Sequence, residues 1–448
     1  MRPHRLHPLG LVHILPAAAF SRPPFRRGFG FAGIILLASA FAGLGQDLTP
    51  TSFIQRSVAP AAVAKSEKVS AAVQIITEYN SNVTLSDSAG SSQAPTVEIN
   101  GNSNSGTKGD FVTNAGVSIS GAWAPTRNSE FTLDLYIGYQ EYVNHPNLSG
   151  LVTNLPSGLS YTIYTGDVKW TIHDAILVSN DPSQQPELSG IAKFGQITNT
   201  ADLDASWAAG DHLTLTAGYE RFDSIYSSST SLTSSAPSNS TASSFFSLPN
   251  YSSNSFQLGI IYDLAQSMQF GFGGTVTDTS YQGNARNNTT SFSLGPFFNA
   301  SLTPATKVFL TGGIETIDSA SASTDWYASI QLTNQLNRIY SHSLTLSHSV
   351  DLGLISDTYT LYSLDYSGAL QLRRGMTLAD DLYVEYGTEG GGPIQENLIQ
   401  YGASLTVQVQ ITRTVSGSIG WQFLDKLSNL PGRDYSQQRV FASLSWMF

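Results

Sequence analysis

The 448-residue sequence contains no cysteine, which excludes disulfide bonds, thiolate metal sites and cysteine nucleophiles. Charged residues make up only 12%, about half of the usual share. Hydrophobic residues are also scarce, at 41%, and no run beyond residue 46 is apolar enough for a membrane helix. The small polar residues Ser, Thr and Asn, together with Gly, replace the missing charged residues, and the sequence also contains 20 Tyr and 22 Phe. This mixture suits a surface that meets water on one side and lipid on the other.

The charge balance is acidic, with 22 Lys and Arg against 33 Asp and Glu and a net charge of −11. Five of the bases are arginines within residues 1–46, a segment that contains no acid. Without that segment, 17 bases face 33 acids. A phosphate-binding face needs clustered Lys and Arg, so this balance argues against nucleic acid as a partner.

Residues 1–46 are predicted to be an export signal peptide. The basic stretch "PPFRRG" is followed by the apolar "FGFAGIILLASAFAGLG", and Ala40-Phe41-Ala42 supplies a small-x-small cleavage site. An uncleaved anchor helix is the alternative, but the apolar run is shorter than the about 20 residues of a full span. Residues 47–68 are too short for a plug domain, and we interpret them as a periplasmic linker.

From residue 69 onward the dominant pattern has a period of two. In "ASLTVQVQIT", Leu405, Val407, Val409 and Ile411 alternate with polar residues. Alternation of this length predicts strands with one apolar and one polar face. We predict eighteen strands, over residues 69–83, 109–124, 129–143, 158–172, 175–181, 191–208, 211–225, 251–264, 267–281, 288–302, 306–318, 323–335, 338–351, 357–372, 376–388, 396–412, 414–425 and 435–448. The element 175–181 is the weakest, and sixteen strands is the alternative count.

The connections between these strands alternate between short and long. Short ones include "PTRN" and "RRG", whereas "SSSTSLTSSAPSNSTASSFFSLPN" is among the long ones. Short turns at one end and long loops at the other indicate an all-β transmembrane antiparallel up-and-down barrel over residues 69–448. A soluble β-sandwich array or a β-solenoid is the alternative, but these strands exceed the usual 5–6 residues and no repeat of fixed period is present.

The two faces of the predicted strands differ in chemistry. One face is almost free of charge and should meet lipid, as in Val117, Ile119 and Trp123 or Ile419, Trp421 and Phe423. The other face carries ionisable groups, nine of them acidic and three basic. We predict that these line a pore: Glu78, Asp134, Lys169, Asp202, Asp204, Glu220, Glu315, Asp365, Arg373, Asp381, Glu385 and Arg439.

Two stretches resemble known families. The terminal strand, with Trp446 and Phe448, resembles the C-terminal signal of bacterial outer-membrane barrels, which implies recognition by the barrel-assembly machinery. "VQIITEYNSNVTLSD", with Tyr79-Asn80-Ser81-Asn82, is similar to the opening strand of the β-barrel porin families of diderm bacteria, and "PELSGIAKFGQITNTADLDASWAAGDHLTLTAGYERFDS" looks like the same families. With Asn80 replacing the commoner Asp, the resemblance implies an outer-membrane channel.

Catalytic and metal-binding patterns are weak in this sequence. "SHSLTLSHS" places His342 and His348 beside serines, but adjacent residues of a strand point to opposite faces. Asp380-Asp381 with His212 is the nearest approach to a protease cluster, and the remaining histidines lack metal-ligand spacing. We therefore expect no catalytic residue, no metal and no cofactor.

Together these patterns predict an outer-membrane porin-like channel for passive diffusion of small hydrophilic solutes, with a polar and net acidic lumen. Its predicted partners are outer-membrane lipid, the barrel-assembly machinery, and small solutes or saccharides, and a homo-oligomer is possible. A barrel for polysaccharide export is the first alternative, since Tyr136 and Tyr383 on the inner face could contact sugars. An outer-membrane enzyme or an adhesin is the second.

Overall fold

The computed structural model describes residues 68–85, 109–153, 157–181, 183, 189, 195–226, 231–233, 245–247, 249–282, 288–318, 322–353, 357–390, 395–430 and 433–448. The predicted export segment 1–46 and the linker, apart from Lys68, lie outside these residues. Most residues of the two longest Ser- and Asn-rich connections, between the predicted strands 69–83 and 109–124 and between 211–225 and 251–264, also lie outside the described residues. No helix among the described residues is long and apolar enough to span a membrane.

Eighteen antiparallel strands form the wall of a closed barrel. They range from 9 to 17 residues, long enough to cross a bilayer at a tilt. The strands are β1 (Lys68–Asn80), β2 (Asp110–Thr126), β3 (Ser129–Tyr142), β4 (Ser157–Thr165), β5 (Val168–Ser179), β6 (Gln196–Ala208), β7 (Leu213–Tyr226), β8 (Tyr251–Ala265), β9 (Met268–Tyr281), β10 (Thr289–Thr303), β11 (Thr306–Asp318), β12 (Ser323–Asn334), β13 (Tyr340–Asp351), β14 (Thr358–Arg373), β15 (Met376–Gly390), β16 (Asn397–Gln410), β17 (Val415–Ser428) and β18 (Tyr435–Met447).

The long connections hold a few smaller elements that the alternation did not predict. The three-residue strand Gly150–Val152 pairs with β3, and a 3-10 turn, Pro146–Leu148, precedes it. A separate two-stranded hairpin, Ser231–Thr233 with Phe245–Ser247, lies between β7 and β8. These pieces are too short for a period of two to be recognised, so the sequence pattern could not reveal them.

The first and last strands pair with each other and close the sheet. Their antiparallel register runs from Ala72 opposite Met447 to Asn80 opposite Arg439. Beyond the last paired residue, the Phe448 N–H donates to the Ala71 carbonyl at 2.8 Å. Closure gives the backbone groups of both strands partners inside the protein, which lipid cannot supply. The predicted pairing of the terminal strand with "AAVQIITEY" is confirmed.

Side chains alternate along each strand between an exposed apolar face and a covered polar face. In β9, Phe270, Phe272 and Val276 are exposed, whereas Thr275 and Thr277 between and beside them are buried. Strands cross a membrane as closed barrels with an apolar outer band, and barrels of this kind belong to bacterial outer membranes. The predicted fold class and outer-membrane location are confirmed.

Some strands continue beyond the apolar band at the long-loop end. On the outer face of β7, Tyr219 is followed by Arg221 and Asp223, which form an ion pair at 2.8 Å. The Tyr219 hydroxyl and the Arg221 guanidinium also donate to Asn254 of β8. A charged pair belongs in the headgroup region and not in hydrocarbon, so β7 and β8 extend past the membrane there.

The predicted boundary between the fourth and fifth strands is wrong. The alternation placed strands at 158–172 and 175–181, but β4 ends at Thr165 and β5 already begins at Val168. Gly166 makes this two-residue turn with a φ of +62°, a left-handed conformation that glycine adopts without steric cost. Because the alternation continues through "YTIYTGDVKWTI" on both sides of the turn, the pattern alone concealed it. The count of eighteen is unaffected.

Aromatic rings on the inner face lie flat over glycines of the neighbouring strand. Phe297 covers Gly271, and Tyr383 covers Gly402, so closely that an added Cβ would overlap the ring in either case. Phe297 also packs with Ile261 and Phe309 in a buried cluster. The inner wall is therefore not uniformly polar, a feature that strand alternation did not predict.

Candidate functional site: a narrowed barrel interior

All twelve predicted pore-lining side chains occupy the face opposite the exposed apolar residues, on the inside of the barrel. Arg373 differs from the others, because it ends β14 and lies at the rim of the short-turn end. Several acids are neighbours across the wall. Asp202 lies directly opposite Glu220, and the His173 ring contacts Asp202 at 2.9 Å.

A second group of acids lines β14 and β15. Asp365 accepts from Ser363 at 2.8 Å, and Asp381 accepts from Ser404 at 2.9 Å. Glu385 lies opposite Ser363 in the same register. These three carboxyl groups, Asp365, Asp381 and Glu385, form an acidic strip along two neighbouring strands.

Described residues of the connection between β5 and β6 contact the inner face of distant strands. Asp181, two residues after β5, contacts the Arg439 guanidinium of β18 at 2.7 Å. Arg439 also donates to Ser183 Oγ at 3.0 Å, and the Ser183 hydroxyl donates to Asp181 at 2.6 Å. Because β18 is the fifth strand along the wall from β5, these contacts hold the connection across part of the lumen.

The same connection has a second anchor farther along its length. Lys426 Nζ of β17 donates to Ser189 Oγ at 2.9 Å, and Ser189 Oγ donates to the Arg433 carbonyl at 2.8 Å. Lys426 is fully buried and pairs with the equally buried Glu396 at 3.1 Å, while Arg433 contacts the other Glu396 oxygen at 2.8 Å. A buried charge needs such partners to offset its desolvation. Ser189 therefore joins the connection to a buried ionic cluster.

The environment of Asp181 keeps its carboxylate charged. Burial alone would raise the pKa of Asp181, but the Arg439 guanidinium and the hydrogen bonds from Ser183 outweigh burial and lower it below its ordinary value of 3.8. Asp181 lies beyond the end of β5, outside the membrane-spanning strands. At neutral pH the ion pair is therefore fully formed.

The start of the β1–β2 connection also folds inward. The Asn82 side chain donates to the Ser436 carbonyl at 3.0 Å, and Gln437 donates to the Asn82 carbonyl at 2.9 Å. Leu85 is then buried against Leu424 and Tyr435 on the inner wall. The Tyr79-Asn80-Ser81-Asn82 element lies where the chain leaves β1, and the last of these residues, Asn82, fastens that exit to β18.

The inner tyrosines are packed against the wall. Tyr136 is buried, and its hydroxyl donates to Asn114 at 2.9 Å while the ring covers Gly116 and Gly138. Tyr383 covers Gly402 and packs against the cluster that contains Leu85. Both rings are thus engaged by the barrel itself, and their positions do not favour the sugar contacts considered for polysaccharide export.

The histidines considered for catalysis lie on the outer face. His348 stacks on Trp326 at 3.9 Å and has Ala328 and Tyr362 opposite it, and His342 has Asn334 and Gly368 opposite it. The cross-strand positions that face lipid beside each ring therefore carry no serine. In β15, Asp380 faces outward and Asp381 inward, while His212 lies in the β6–β7 turn. Within the described residues, no group of three or more metal-ligating side chains could hold a metal ion.

Sequence reasoning missed the residues that narrow the interior. The predicted strand 175–181 ends at Asp181, and no sequence pattern marks Lys426, Glu396 or Arg433. The contacts that tie the β5–β6 connection to the wall join residues more than 200 positions apart, Asp181 with Arg439 and Ser189 with Lys426. The "PSQQPELSG" segment offered one signal, since its length exceeds that of a simple hairpin turn.

No family model matches the chain, and no curated protein matches it. Several solved structures from Pseudomonas aeruginosa are similar to it. OccK5 (OpdH) is 13% identical with a TM-score of 0.44, over 85% of this chain and 98% of that one. OpdQ is 9% identical with the same TM-score and coverage. The outer membrane protein OpdK is 8% identical with a TM-score of 0.43, over 85% and 99%. Likeness at this level identifies no solute for this chain.

Proposed function

We propose that the barrel is a porin-like channel through which small hydrophilic solutes diffuse passively across the outer membrane. The observation that carries the proposal is a closed eighteen-strand wall with the contact between Asp181 and Arg439 inside it, which fastens the start of the β5–β6 connection to the inner face of β18. A wall of 16–18 strands is too wide for side chains to fill, so it encloses water. A connection that is fastened across that water restricts the size of the solutes that pass.

The composition of the inner wall supports a polar route. Ser and Thr side chains alternate inward along the strands, and the twelve ionisable residues singled out in the sequence share that face. In this proposal they line the pore, with Arg373 at its mouth. Rings of charge set the selectivity of such pores. Nine acids against three bases, together with the strip formed by Asp365, Asp381 and Glu385, favour cations weakly over anions.

Assembly belongs to the same proposal. The signal peptide over residues 1–46 directs export and is removed, and the linker 47–68 stays in the periplasm. The terminal strand, with Trp446 and Phe448 exposed on the outer face, is recognised by the barrel-assembly machinery. Neither a catalytic role nor a cofactor is part of this function.

Swelling of proteoliposomes tests the proposal. The purified, heat-modifiable barrel is reconstituted, and the vesicles are diluted into isosmotic solutions of neutral sugars of increasing size. We expect swelling with the smallest solutes and a steep decline as solute size grows, because the fixed connection limits the opening. Vesicles that do not swell with any solute, although the barrel is folded and inserted, would refute passive diffusion.

A further inference from the structure

The short turns at one end of the barrel carry a sorted set of charges. All eight turns lie within the described residues, and they contain six charged side chains. Four are arginines and two are aspartates. These residues are Arg127, Arg338, Arg374 and Arg413, and Asp167 and Asp211.

The two signs occupy different parts of the rim. The arginines lie in the β12–β13, β14–β15, β16–β17 and β2–β3 turns, which follow one another around the wall because β18 pairs with β1. The aspartates lie in the β4–β5 and β6–β7 turns. We call the four arginines Arg127, Arg338, Arg374 and Arg413 the arginine arc. All four are exposed, and none forms an ion pair with a carboxylate of the described residues.

Exposed apolar side chains accompany the arc. Leu336 and Ile339 flank Arg338, Leu372 lies two residues before Arg374, and Ile411 lies two residues before Arg413. Each of these apolar side chains is about half or more exposed. The seam between β16–β17 and β2–β3 adds two more exposed apolar residues on the outer face, Trp446 and Phe448.

An arginine beside an exposed leucine or isoleucine is the arrangement of an interfacial anchor. The apolar group enters the acyl region while the guanidinium reaches the headgroups. A guanidinium matches the geometry of a phosphate, to which it can donate two parallel hydrogen bonds. A soluble anion would need the arginines but not their apolar neighbours. The pairing therefore favours a lipid phosphate as the occupant.

His342 and Asp380 share the outer face, two and four residues inside β13 and β15, but the ionisable groups of the strands that lie closest to this rim point elsewhere. Glu130, Lys169, Asp263 and Lys307 lie one or two residues inside the strands, on the inner face. They face the lumen and cannot neutralise lipid headgroups outside the wall. The outer side of the rim is therefore basic from β12 through β3 and acidic near β4 to β7.

We propose that the arginine arc binds the phosphate headgroups of anionic phospholipids in the periplasmic leaflet. The barrel would then carry an asymmetric shell of anionic lipid, concentrated on the half that includes the β18–β1 seam. Each arginine near an anionic headgroup layer should strengthen binding on the order of fivefold.

Native mass spectrometry of the intact barrel in detergent tests this, with phosphatidylglycerol titrated against phosphatidylcholine. The test variant is Arg338→Gln/Arg374→Gln/Arg413→Gln, and the matched control is Asp167→Asn/Asp211→Asn in the acidic turns of the same rim. We expect the wild type and the control to retain phosphatidylglycerol preferentially. The triple variant should retain at least tenfold less. Heat-modifiability of each protein shows that the barrel is folded.

Two results would overturn the proposal. One is undiminished retention of phosphatidylglycerol by the folded triple variant. This result would show that the arginines do not bind the lipid, and a periplasmic macromolecule would become the candidate partner. The other is full displacement of the lipid by glycerol phosphate at equal phosphate concentration, which would make the arc a site for soluble anions. Failure of glycerol phosphate to compete supports the lipid assignment.

Discussion

Asp181 and Arg439 are 258 positions apart in the chain, and their side chains meet at 2.7 Å inside the barrel. Arg439 belongs to the last strand, whereas Asp181 begins the connection that follows the fifth. Their contact fastens the start of that connection to the inner face of β18. In the proposed channel, this ion pair sets how far the connection restricts the opening.

Replacing Asp181 by Asn should widen the channel. The variant keeps the shape of the side chain but removes the charge that holds Arg439, at a cost of roughly 1–3 kcal/mol. We expect a larger single-channel conductance and faster entry of larger sugars. Asp211→Asn, in an exposed turn at the other end of the barrel, is the control and should leave conductance unchanged. Equal conductance of both variants and the wild type would show that the loop does not limit flow.

The ion pair also predicts a dependence on pH. The pKa of Asp181 is lower in the folded barrel than in the unfolded chain, so its contribution is complete above the ordinary carboxyl pKa. That contribution is lost as pH falls through the folded value. The part of the conductance that depends on Asp181, measured as the difference between the wild type and Asp181→Asn, should thus be constant from neutral pH to about 5 and should change only below about 4. The Asp181→Asn variant should lack this change, and a change of equal size in that variant would point to other carboxyl groups.

Gly402 is predicted to be intolerant of any side chain, because the Tyr383 ring covers it. Gly402→Ala should destabilise the barrel by about 1–3 kcal/mol, the usual cost of overpacking. It would be seen as a lower temperature of conversion in a heat-modifiability series. Gly210→Ala is the matched control, since nothing lies within 4 Å of a Cβ at that turn. Combining Gly402→Ala with Tyr383→Ala should recover part of the loss, and no recovery would mean that the ring is not the cause.

Phe448 is predicted to matter for assembly more than for the stability of the finished barrel. Its N–H donates to Ala71 at the seam, and its side chain is largely exposed on the outer face. Deletion of Phe448 should lower the fraction of protein inserted into the outer membrane, while Phe448→Tyr should insert normally. Normal insertion of the deletion variant would contradict the proposed role of the terminal strand.

The wall could be predicted from the sequence because lipid imposes a simple rule on it. Because one face of each strand meets lipid and the other does not, apolar residues such as Val117 and Ile119, or Ile419 and Trp421, alternate with polar ones. This alternation is the period of two seen in the sequence. The closing pair of strands followed as well, since an open edge cannot persist in lipid. Within the wall, the turn at Gly166 could not be predicted, because the alternation of apolar and polar residues continues through it.

The interior could not be predicted in the same way. Asp181, Ser189 and Lys426 meet through a connection that has no periodicity, and nothing local in "NDPSQQPELSG" specifies the partner strand. Leu85 and its cluster pose the same problem at the exit of β1. Packing of this kind is decided by contacts across the barrel, which a single sequence does not display.

A planar lipid bilayer offers the most direct test of the channel. The purified barrel is inserted under a KCl gradient, and its single-channel steps and reversal potential are recorded. We predict discrete conductance steps and a reversal potential of the sign expected for a weak cation preference. The preference should decline in the variant Asp365→Asn/Asp381→Asn/Glu385→Gln. A folded barrel that shows no conductance, or one that selects anions, would contradict this account.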